Sequence, residues 1–128
     1  MIDLSVVIAN YETSDLLSRC LDSVDRAMRF DSTLGVETIL VDNGSRDDSV
    51  ENARSRANPP RIISLVRNRG FAAAVNLGLR IRRGRHVLLL NSDVEIDEEL
   101  LLRGVQILDQ ASDAGVLGAA LALSLIHI

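Results

Sequence analysis

The chain has 128 residues, of which 47% are hydrophobic, so one compact domain with a substantial core is expected. Its formal net charge is −4 and only 2% of its residues are aromatic, which argues against a nucleic-acid partner, because such partners normally require a basic face or stacking side chains. No lysine occurs among its 14 strongly basic residues, which excludes a phosphate-loop lysine and a lysine Schiff base.

The cysteine and histidine content excludes an internal disulfide and a zinc site. Cys20 is the single cysteine, and its place among helically spaced apolar residues favours a buried structural role. His86 and His127 have no partners at metal-ligand spacing, and His86 fits the edge of a strand. Residues 1–12 contain neither a basic leader nor a long apolar run, so we expect no signal peptide and no transmembrane segment. A cytoplasmic location is the expectation, with membrane association open to a longer protein.

Two strand–helix units are predicted in the first half of the chain. Residues 4–9 form a short β-branched apolar run, after which Thr13 or Ser14 can cap a helix. That helix has apolar residues at helical spacing: Leu16, Leu17, Cys20, Leu21 and Val24. Residues 36–41 predict the second strand and residues 48–57 its helix, which the stretch NPP ends.

The second half of the chain repeats this pattern. Residues 61–66 predict a third strand, residues 70–82 a helix and residues 86–90 a fourth strand. A helix from residue 97 has acidic residues in its first turn, and a short strand at 115–120 is expected to follow. Apolar strands alternating with helices predict the α/β class, with a doubly wound, mainly parallel sheet whose strands, including the fourth, are buried on both faces.

Each predicted strand ends in a polar cluster, and the topology places all these clusters at one edge of the sheet, called the rim from here on. The clusters are residues 10–12, 42–45, 68–70 and 91–93. In parallel α/β sheets this edge is where ligands bind. A turn or a helix cap explains any one cluster, whereas four on the same rim favour a ligand site.

Three rim positions allow both a structural and a ligand-binding interpretation. Asp42 can accept hydrogen bonds from a ribose hydroxyl or a base, or it can cap the next turn. Gly44 fits a turn position with positive φ, whether or not a ligand binds. The alanines and glycines around Asn76 indicate either close packing of helix on sheet or the approach of a ligand, with Asn76 facing that ligand.

The acidic residues after the fourth strand predict a metal site. Asp93 can offer a carboxylate to Mg²⁺ or Mn²⁺, which take one or two protein carboxylates besides waters and ligand phosphates. Glu95 and Asp97 lie at a helix start, so we interpret them as capping and dipole residues rather than catalysts.

Four stretches, in order LSVVIANYE, ILVDNGSRDDS, RNRGFAAAVNLGL and HVLLLNSDVEI, resemble the donor-binding half of the family-2 glycosyltransferases, in particular rhamnosyltransferase-like members. The resemblance implies a GT-A fold, with residues 1–120 as the nucleotide-sugar-binding half of that domain. The hydrophobic tail 121–128 resembles neither the family's continuation nor a domain ending. We therefore expect a truncated domain, with the tail as an artefact of truncation.

The resemblance also implies which residues bind the nucleotide sugar: Ala9, Asn10, Tyr11, Glu12, Asp42, Asn43, Gly70, Asn76, Asn91, Ser92 and Asp93. Tyr11 would lie near the base, and Asp42 would bind the base or the ribose. Asp93 would ligate Mg²⁺ or Mn²⁺, with Asn91 in support.

The implied reaction is the transfer, with inversion, of a sugar from a UDP- or dTDP-linked donor to a glycan or lipid-linked acceptor. The metal would neutralise charge on the leaving diphosphate. The general base is expected beyond residue 128, so no catalytic residue is assigned, and the fragment alone is expected to be inactive. One alternative is nucleotide binding without turnover. Another, a dehydrogenase or methyltransferase, is disfavoured because the first βα turn, ANYETSD, lacks the glycines that admit a pyrophosphate.

Overall fold

The computed structural model describes residues 1–110, so the predicted strand at 115–120 and the tail 121–128 lie outside the described residues. Four strands alternate with four helices: β1 Leu4–Asn10, α1 Ser14–Phe30, β2 Val36–Asp42, α2 Ser49–Arg54, β3 Arg61–Ser64, α3 Phe71–Ile81, β4 His86–Asn91 and α4 Leu100–Gln110. The predicted order of these eight elements is confirmed. Among them, none of the helices combines the length and apolar character that a membrane crossing requires.

The four strands form one parallel sheet in the order β3-β2-β1-β4. The chain steps outward from β1 to β3 and then returns to the other side of β1, so its winding reverses between β1 and β4. Such a switch point opens a crevice at the carboxyl ends of the strands. The register sets Asn10 beside Asp42 and Ala9 beside Asn91, so three of the predicted polar clusters begin side by side on the rim.

Helices cover both faces of the sheet, which confirms the doubly wound prediction. Side chains alternate between the faces along β1, so Ile8 packs in the core with α1 while Val7 packs in the core with α3. The predicted apolar positions of α1 are buried except Leu16, which is 42% exposed. Leu16 lies at the edge of the buried stripe, where helical periodicity alone does not decide burial.

Helix α3 lies close against the sheet. A Cβ atom built on Gly78 would be 2.5 Å from the Cγ1 atom of Val7, and Ala74 is fully buried. Larger side chains at these positions would hold the helix away from β1. Close packing of helix on sheet therefore explains Ala74 and Gly78, but not Ala72, which is exposed.

The prediction that β4 is buried on both faces is wrong. Leu90 is 7% exposed on the side of α1, but Leu89, on the opposite side, is 49% exposed. In the described part of the chain β4 is an edge strand of the sheet, and α3 packs over β1 and β2 rather than over β4. The Leu89 face of β4 is therefore left partly exposed. A run of apolar residues cannot show which strand occupies the edge.

The predicted ends of α2 and β3 are also wrong. Helix α2 ends at Arg54, where the Ser55 hydroxyl competes with the helix backbone for the Glu51 carbonyl oxygen, which it reaches at 3.0 Å. Strand β3 ends at Ser64, because Ser64 pairs with Asp42 and β2 goes no further.

The edge opposite the rim is fastened by a charged network around Glu37. The Glu37 carboxylate accepts hydrogen bonds from the Ser5 hydroxyl at 2.6 Å, the Arg61 guanidinium at 2.9 Å and the Arg83 backbone N–H at 2.6 Å. Arg61 also donates to the Ile81 carbonyl oxygen at 2.9 Å. The end of α3 is thereby tied to β1, β2 and β3, which gives a structural role to the arginines of this edge.

A second polar cluster joins α4 to the same edge. Arg85 forms ion pairs with Asp3 and Asp109, and the Nε2 atom of His86 lies 2.7 Å from the Oδ1 atom of Asp109. The Arg85 guanidinium, together with His86, holds the pKa of Asp109 well below its usual range. His86 begins β4, so its predicted place at the edge of a strand is confirmed.

Candidate functional site

Asp42 ends β2 as a carboxylate that is only 1% exposed. It accepts hydrogen bonds from the Asn10 side-chain amide at 2.9 Å, the Ser45 hydroxyl at 2.7 Å and the Ser45 backbone N–H at 2.8 Å. A buried carboxylate requires such donors in place of water. Asp42 thus caps the turn that follows it, as one of the two interpretations expected. Its contact with a base or ribose stays a prediction.

Asn10 and Thr13 extend this network toward β4. Because the Asp42 carboxylate can only accept, Asn10 turns its nitrogen to Asp42 and its Oδ1 atom to the Thr13 hydroxyl, which donates at 2.6 Å. The Thr13 hydrogen is then in use, so the Ser92 hydroxyl, 3.0 Å away, donates to Thr13. A single chain of hydrogen bonds therefore runs from the end of β4 to the end of β2.

Thr13 occupies the N-cap position of α1 but does not cap the helix with its side chain. The prediction is right about its position and wrong about its bond. Asp47 fills the capping role instead. Its carboxylate accepts hydrogen bonds from the backbone N–H of Ser14 at 3.2 Å and from that of Ser49 at 3.0 Å. The carboxylate from the β2–α2 loop thus complements the positive end of α1.

The loop after β1 presents Tyr11 at the rim. Tyr11 is 46% exposed, while Glu12 beside it has a positive φ of 51°. This strained conformation is held from the neighbouring loop, since the Glu12 backbone N–H donates to the Ser45 hydroxyl at 2.8 Å and the Arg46 N–H donates to the Glu12 carboxylate at 3.3 Å. The backbone that carries the Tyr11 ring is therefore fixed on both sides.

The loop after β3 is fastened to the loop after β2 through Asn43 and Gly44. The buried Asn43 side chain accepts from the Arg69 backbone N–H at 3.2 Å and donates to the Gly70 carbonyl oxygen at 3.3 Å. Gly44 has a φ of 79°, and a Cβ atom there would lie 2.8 Å from the Cα of Arg67. The predicted turn role of Gly44 is confirmed, and Asn43 contributes to the site by holding Gly70 at the start of α3.

The turn after β4 presents the two exposed oxygen-bearing side chains of Asn91 and Asp93. Its backbone is fixed, because the Val94 N–H donates to the Asn91 carbonyl oxygen at 3.2 Å and the Ile96 N–H donates to the buried Ser23 hydroxyl at 3.0 Å. Within residues 1–110 no group of three or more His, Cys, Asp or Glu side chains is placed to enclose a metal ion. An exposed carboxylate two residues after an exposed amide still fits Mg²⁺ or Mn²⁺, which keep waters and take phosphate oxygens as further ligands.

Cys20 lies beneath this turn. Its thiol is buried and points to the Asn91 carbonyl oxygen at a distance of 3.7 Å. Burial, and then the negative charges of Asp93 and Glu95, raise the pKa of Cys20 to about 12. The predicted structural role is confirmed, because Cys20 is fully buried in the core. A thiol with a raised pKa forms little of the thiolate that a nucleophile requires.

The acidic residues beyond the turn lie ahead of α4 rather than in its first turn. The predicted start of this helix at residue 97 is wrong, since α4 begins at Leu100 and its first turn contains no acidic residue. The Asp97 carboxylate accepts from the Glu99 backbone N–H at 2.8 Å and closes the turn before the helix, so its predicted capping of the helix is not confirmed. Glu95 is exposed, and its dipole role stays a prediction.

The sequence model described as glycosyl transferase family 2 matches residues 5–123, which include all four polar clusters. The chain belongs to this family. The resemblance stated from the four sequence stretches is thereby confirmed.

This family-2 chain is similar to a mouse protein in sequence and to a solved S. aureus structure in fold. The dolichyl-phosphate beta-glucosyltransferase of Mus musculus is 31% identical over 99 residues, covering 70% of this chain and 31% of that protein. The S. aureus protein TarS 1–349 in complex with UDP superposes with a TM-score of 0.73 at 24% identity, covering 92% of this chain and 39% of that one. The chain therefore spans about a third of the length of the mouse relative.

A second solved structure supports the fold assignment. The mannosyltransferase PcManGT from Pyrobaculum calidifontis, in complex with GDP-Man and Mn²⁺, superposes with a TM-score of 0.72 at 20% identity, covering 88% of this chain and 33% of that one. Both structural likenesses identify the fold as GT-A, as the resemblance implied.

Ala9 and Asn76, the remaining residues predicted to bind the donor, lie in β1 and α3. Ala9 lies within β1 next to Asn91. Asn76 is exposed in the second turn of α3, opposite the residues that pack on the sheet, and among the described residues the rim network does not include it. Its contact with the donor stays a prediction.

Three side chains organise the site in roles that were not predicted from the sequence: Ser45 as a partner of Asp42, Asp47 as a partner of the start of α1, and Thr13 as a partner of Ser92. Ser45 follows Asp42 by three residues, the spacing of a side chain that closes a turn, and this signal could have identified it. The bonds of Asp47 and Thr13 reach to other strand units, so no local spacing predicts them.

Proposed function

We propose that this chain is the donor-binding part of an inverting glycosyltransferase that binds a UDP- or dTDP-linked sugar together with Mg²⁺ or Mn²⁺. The acceptor of the longer protein would be a glycan or a lipid-linked group. One observation carries the proposal. The exposed side chains of Asn91 and Asp93 stand at the switch point of a parallel sheet, and Ser92 between them is joined by hydrogen bonds to the buried Asp42 network.

The β1 and β2 loops would receive the nucleoside. The Tyr11 ring is half exposed on a fixed backbone, so it can stack on a base without first becoming ordered. Asp42 and Asn10 lie beneath this loop and keep the two strand ends at a constant separation. These contacts would orient the donor rather than react with it.

Asp93, with Asn91 in support, would hold the metal. When bound, a divalent cation neutralises charge on the leaving diphosphate. The chain's own part is to present the Asp93 carboxylate on a turn that Ser92 and Ser23 fix from below. The neutral Cys20 thiol under the turn adds no further negative charge beside the diphosphate.

The comparisons support the same ligands. One structure with this fold was solved with UDP and another with GDP-Man and Mn²⁺. The name of the mouse relative indicates a dolichyl-phosphate acceptor, which supports a lipid-linked acceptor. Family membership supports sugar transfer as the reaction class.

The second candidate function is binding of the nucleotide sugar without turnover. It is favoured by the engagement of the Asp97 carboxylate with the Glu99 backbone N–H at 2.8 Å, which leaves Asp97 less suited to be the base that deprotonates an acceptor. We place that base beyond residue 128. Sugar transfer or donor hydrolysis by this chain, lost in Asp93→Ala, would rule out the binding-only function.

Calorimetric titration with nucleotides tests the proposed function. UDP or dTDP should bind the folded chain, and Mn²⁺ should strengthen that binding relative to EDTA. ADP serves as the matched control, because it has the same diphosphate and a different base. Absence of UDP and dTDP binding under both conditions, with circular dichroism showing a folded chain, would contradict the proposal.

A further inference from the structure

Thr13 makes contacts that its place in the fold does not require. A threonine at a helix N-cap normally accepts a hydrogen bond from the first turn of its own helix. Here the hydroxyl instead donates to Asn10 Oδ1 at 2.6 Å and receives the Ser92 hydroxyl at 3.0 Å, while Asp47 serves the helix. The side chain therefore lies between β1 and β4 at the switch point.

The residues joined by Thr13 belong to two different ends of the proposed donor site. Asn10 leads to Asp42, where the nucleoside is expected. Ser92 lies between Asn91 and Asp93, where the metal and diphosphate are expected. Asn10, Asp42 and Ser92 are 1%, 1% and 9% exposed, so water cannot easily replace a lost bond among them.

The direction of the hydrogen bonds makes this connection sensitive to a single hydroxyl. Ser92 donates to Thr13, Thr13 donates to Asn10, and Asn10 donates to Asp42, so each bond polarises the next toward the carboxylate. Thr13 is the member that connects β4 to β1, accepting from Ser92 and donating to Asn10 through one hydroxyl. Its removal would separate the chain of bonds into two parts.

We propose that Thr13 is a positioning residue that couples the nucleoside end of the donor site to its metal end. The inference rests on the proposed function and adds a residue to it. Thr13 touches neither ligand. It holds the turn of Ser92 at a fixed place relative to Asp42, so that a donor bound at the nucleoside end has its diphosphate in register with the metal.

The test is a comparison of Thr13→Val with Thr13→Ser. Valine has the shape of threonine without the hydroxyl, whereas serine keeps the hydroxyl. Titration with UDP in Mn²⁺ and in EDTA gives the factor by which Mn²⁺ strengthens UDP binding, and ligand-observed NMR gives the affinity for uridine alone. We expect Thr13→Val to bind uridine as tightly as the unchanged chain does. Its Mn²⁺ factor should be about five times smaller, which is the lower end of the usual coupling between two linked sites. Thr13→Ser should keep that factor.

Thr33→Val is the matched control. Its hydroxyl also donates at 2.6 Å to an oxygen acceptor, Asp31 Oδ1, but at the edge opposite the rim, so it should leave the Mn²⁺ factor unchanged. Ser92→Ala provides a second route, since it removes the same contact from the other side. It should lower the Mn²⁺ factor as Thr13→Val does, and the double variant should lose no more than either single one.

The outcomes separate this inference from the proposed function. Failure of the unchanged chain to bind either UDP or dTDP overturns both. Binding of UDP with a Mn²⁺ factor that is the same in the unchanged chain and in Thr13→Val overturns the positioning role alone. So does a loss of uridine binding equal to the loss of UDP binding, because a merely structural defect would weaken both equally.

Discussion

The carboxylates of Asp42, Glu37 and Asp93 are chemically alike, but their surroundings give them different tasks. Asp42 is buried among three donors at the rim and fixes two strand ends. Glu37 is nearly buried at the opposite edge and fixes the end of α3. Asp93 is exposed and is the one suited to an external cation. At the scale of single residues, burial and donors rather than residue type decide the role.

Glu37→Gln should destabilise the chain in a pH-dependent way. Burial raises the pKa of Glu37, but the bonds from Ser5, Arg83 and Arg61 outweigh it and hold that pKa below its ordinary value of 4.5. A lowered folded-state pKa stabilises the fold above the unfolded-state value and loses this effect as the pH falls through the folded-state value. At pH 7 the variant should lose about 1–3 kcal/mol of unfolding free energy, measured by urea denaturation.

The difference between Glu37→Gln and the unchanged chain should shrink as the pH falls below about 4.5, where the unfolded carboxyl is already protonated. Glu51→Gln, an exposed position in α2, should cost little at any pH. A Glu37→Gln effect that is equal at pH 7 and pH 3 would show that the charge of Glu37 does not stabilise the fold.

At the scale of elements, hydrophobic pattern predicted the strands and helices but not all their ends. The starts of all four strands were predicted to the residue, because each apolar run begins at the first residue of its strand or directly after it. The end of β3 was not, because its length depends on where β2 ends. The exposure of Leu89 was not predicted either, since the sequence does not show which strand lies at the edge of the sheet.

Gly78→Ala tests the close approach of α3 to β1. The new Cβ would lie 2.5 Å from Val7 Cγ1, so the helix must shift and the variant should lose about 1–3 kcal/mol despite alanine's better helix propensity. Gly104→Ala in α4 is the matched control, because a Cβ there meets nothing within 4 Å. It should gain about 0.5–1 kcal/mol in the same urea denaturation experiment.

The double variant Gly78→Ala/Val7→Ala should lose less stability than the sum of the two single losses, because Val7→Ala removes the clashing methyl group although it also costs core packing. Equal stability changes for Gly78→Ala and Gly104→Ala would contradict the packing account of α3.

At the scale of the whole molecule, the fold places the residues of the candidate site at one edge and the ion pairs of Glu37 and Arg85 at the other. The rim was predictable, because parallel strands all end on the same edge and polar residues follow each of them. The network within the rim was not. Asn10 meets a partner 32 residues away and Thr13 meets one 79 residues away, distances over which sequence periodicity carries no information.

The central claim is that the rim binds a nucleotide diphosphate through a metal held by Asp93. The most direct test is titration of UDP into Asp93→Asn, in Mn²⁺ and in EDTA. Asparagine has the same shape without the charge, and Asp93 is exposed, so the fold should persist. Asp31→Asn, a carboxylate near the opposite edge bonded to Thr33, is the matched control.

We predict that Asp93→Asn lowers the affinity for UDP in Mn²⁺ by at least about tenfold, the loss that follows when residues around a bound metal are altered. Asp31→Asn should keep the affinity of the unchanged chain. Equal Mn²⁺-dependent UDP affinity in Asp93→Asn, Asp31→Asn and the unchanged chain would contradict the assignment of the metal to the rim.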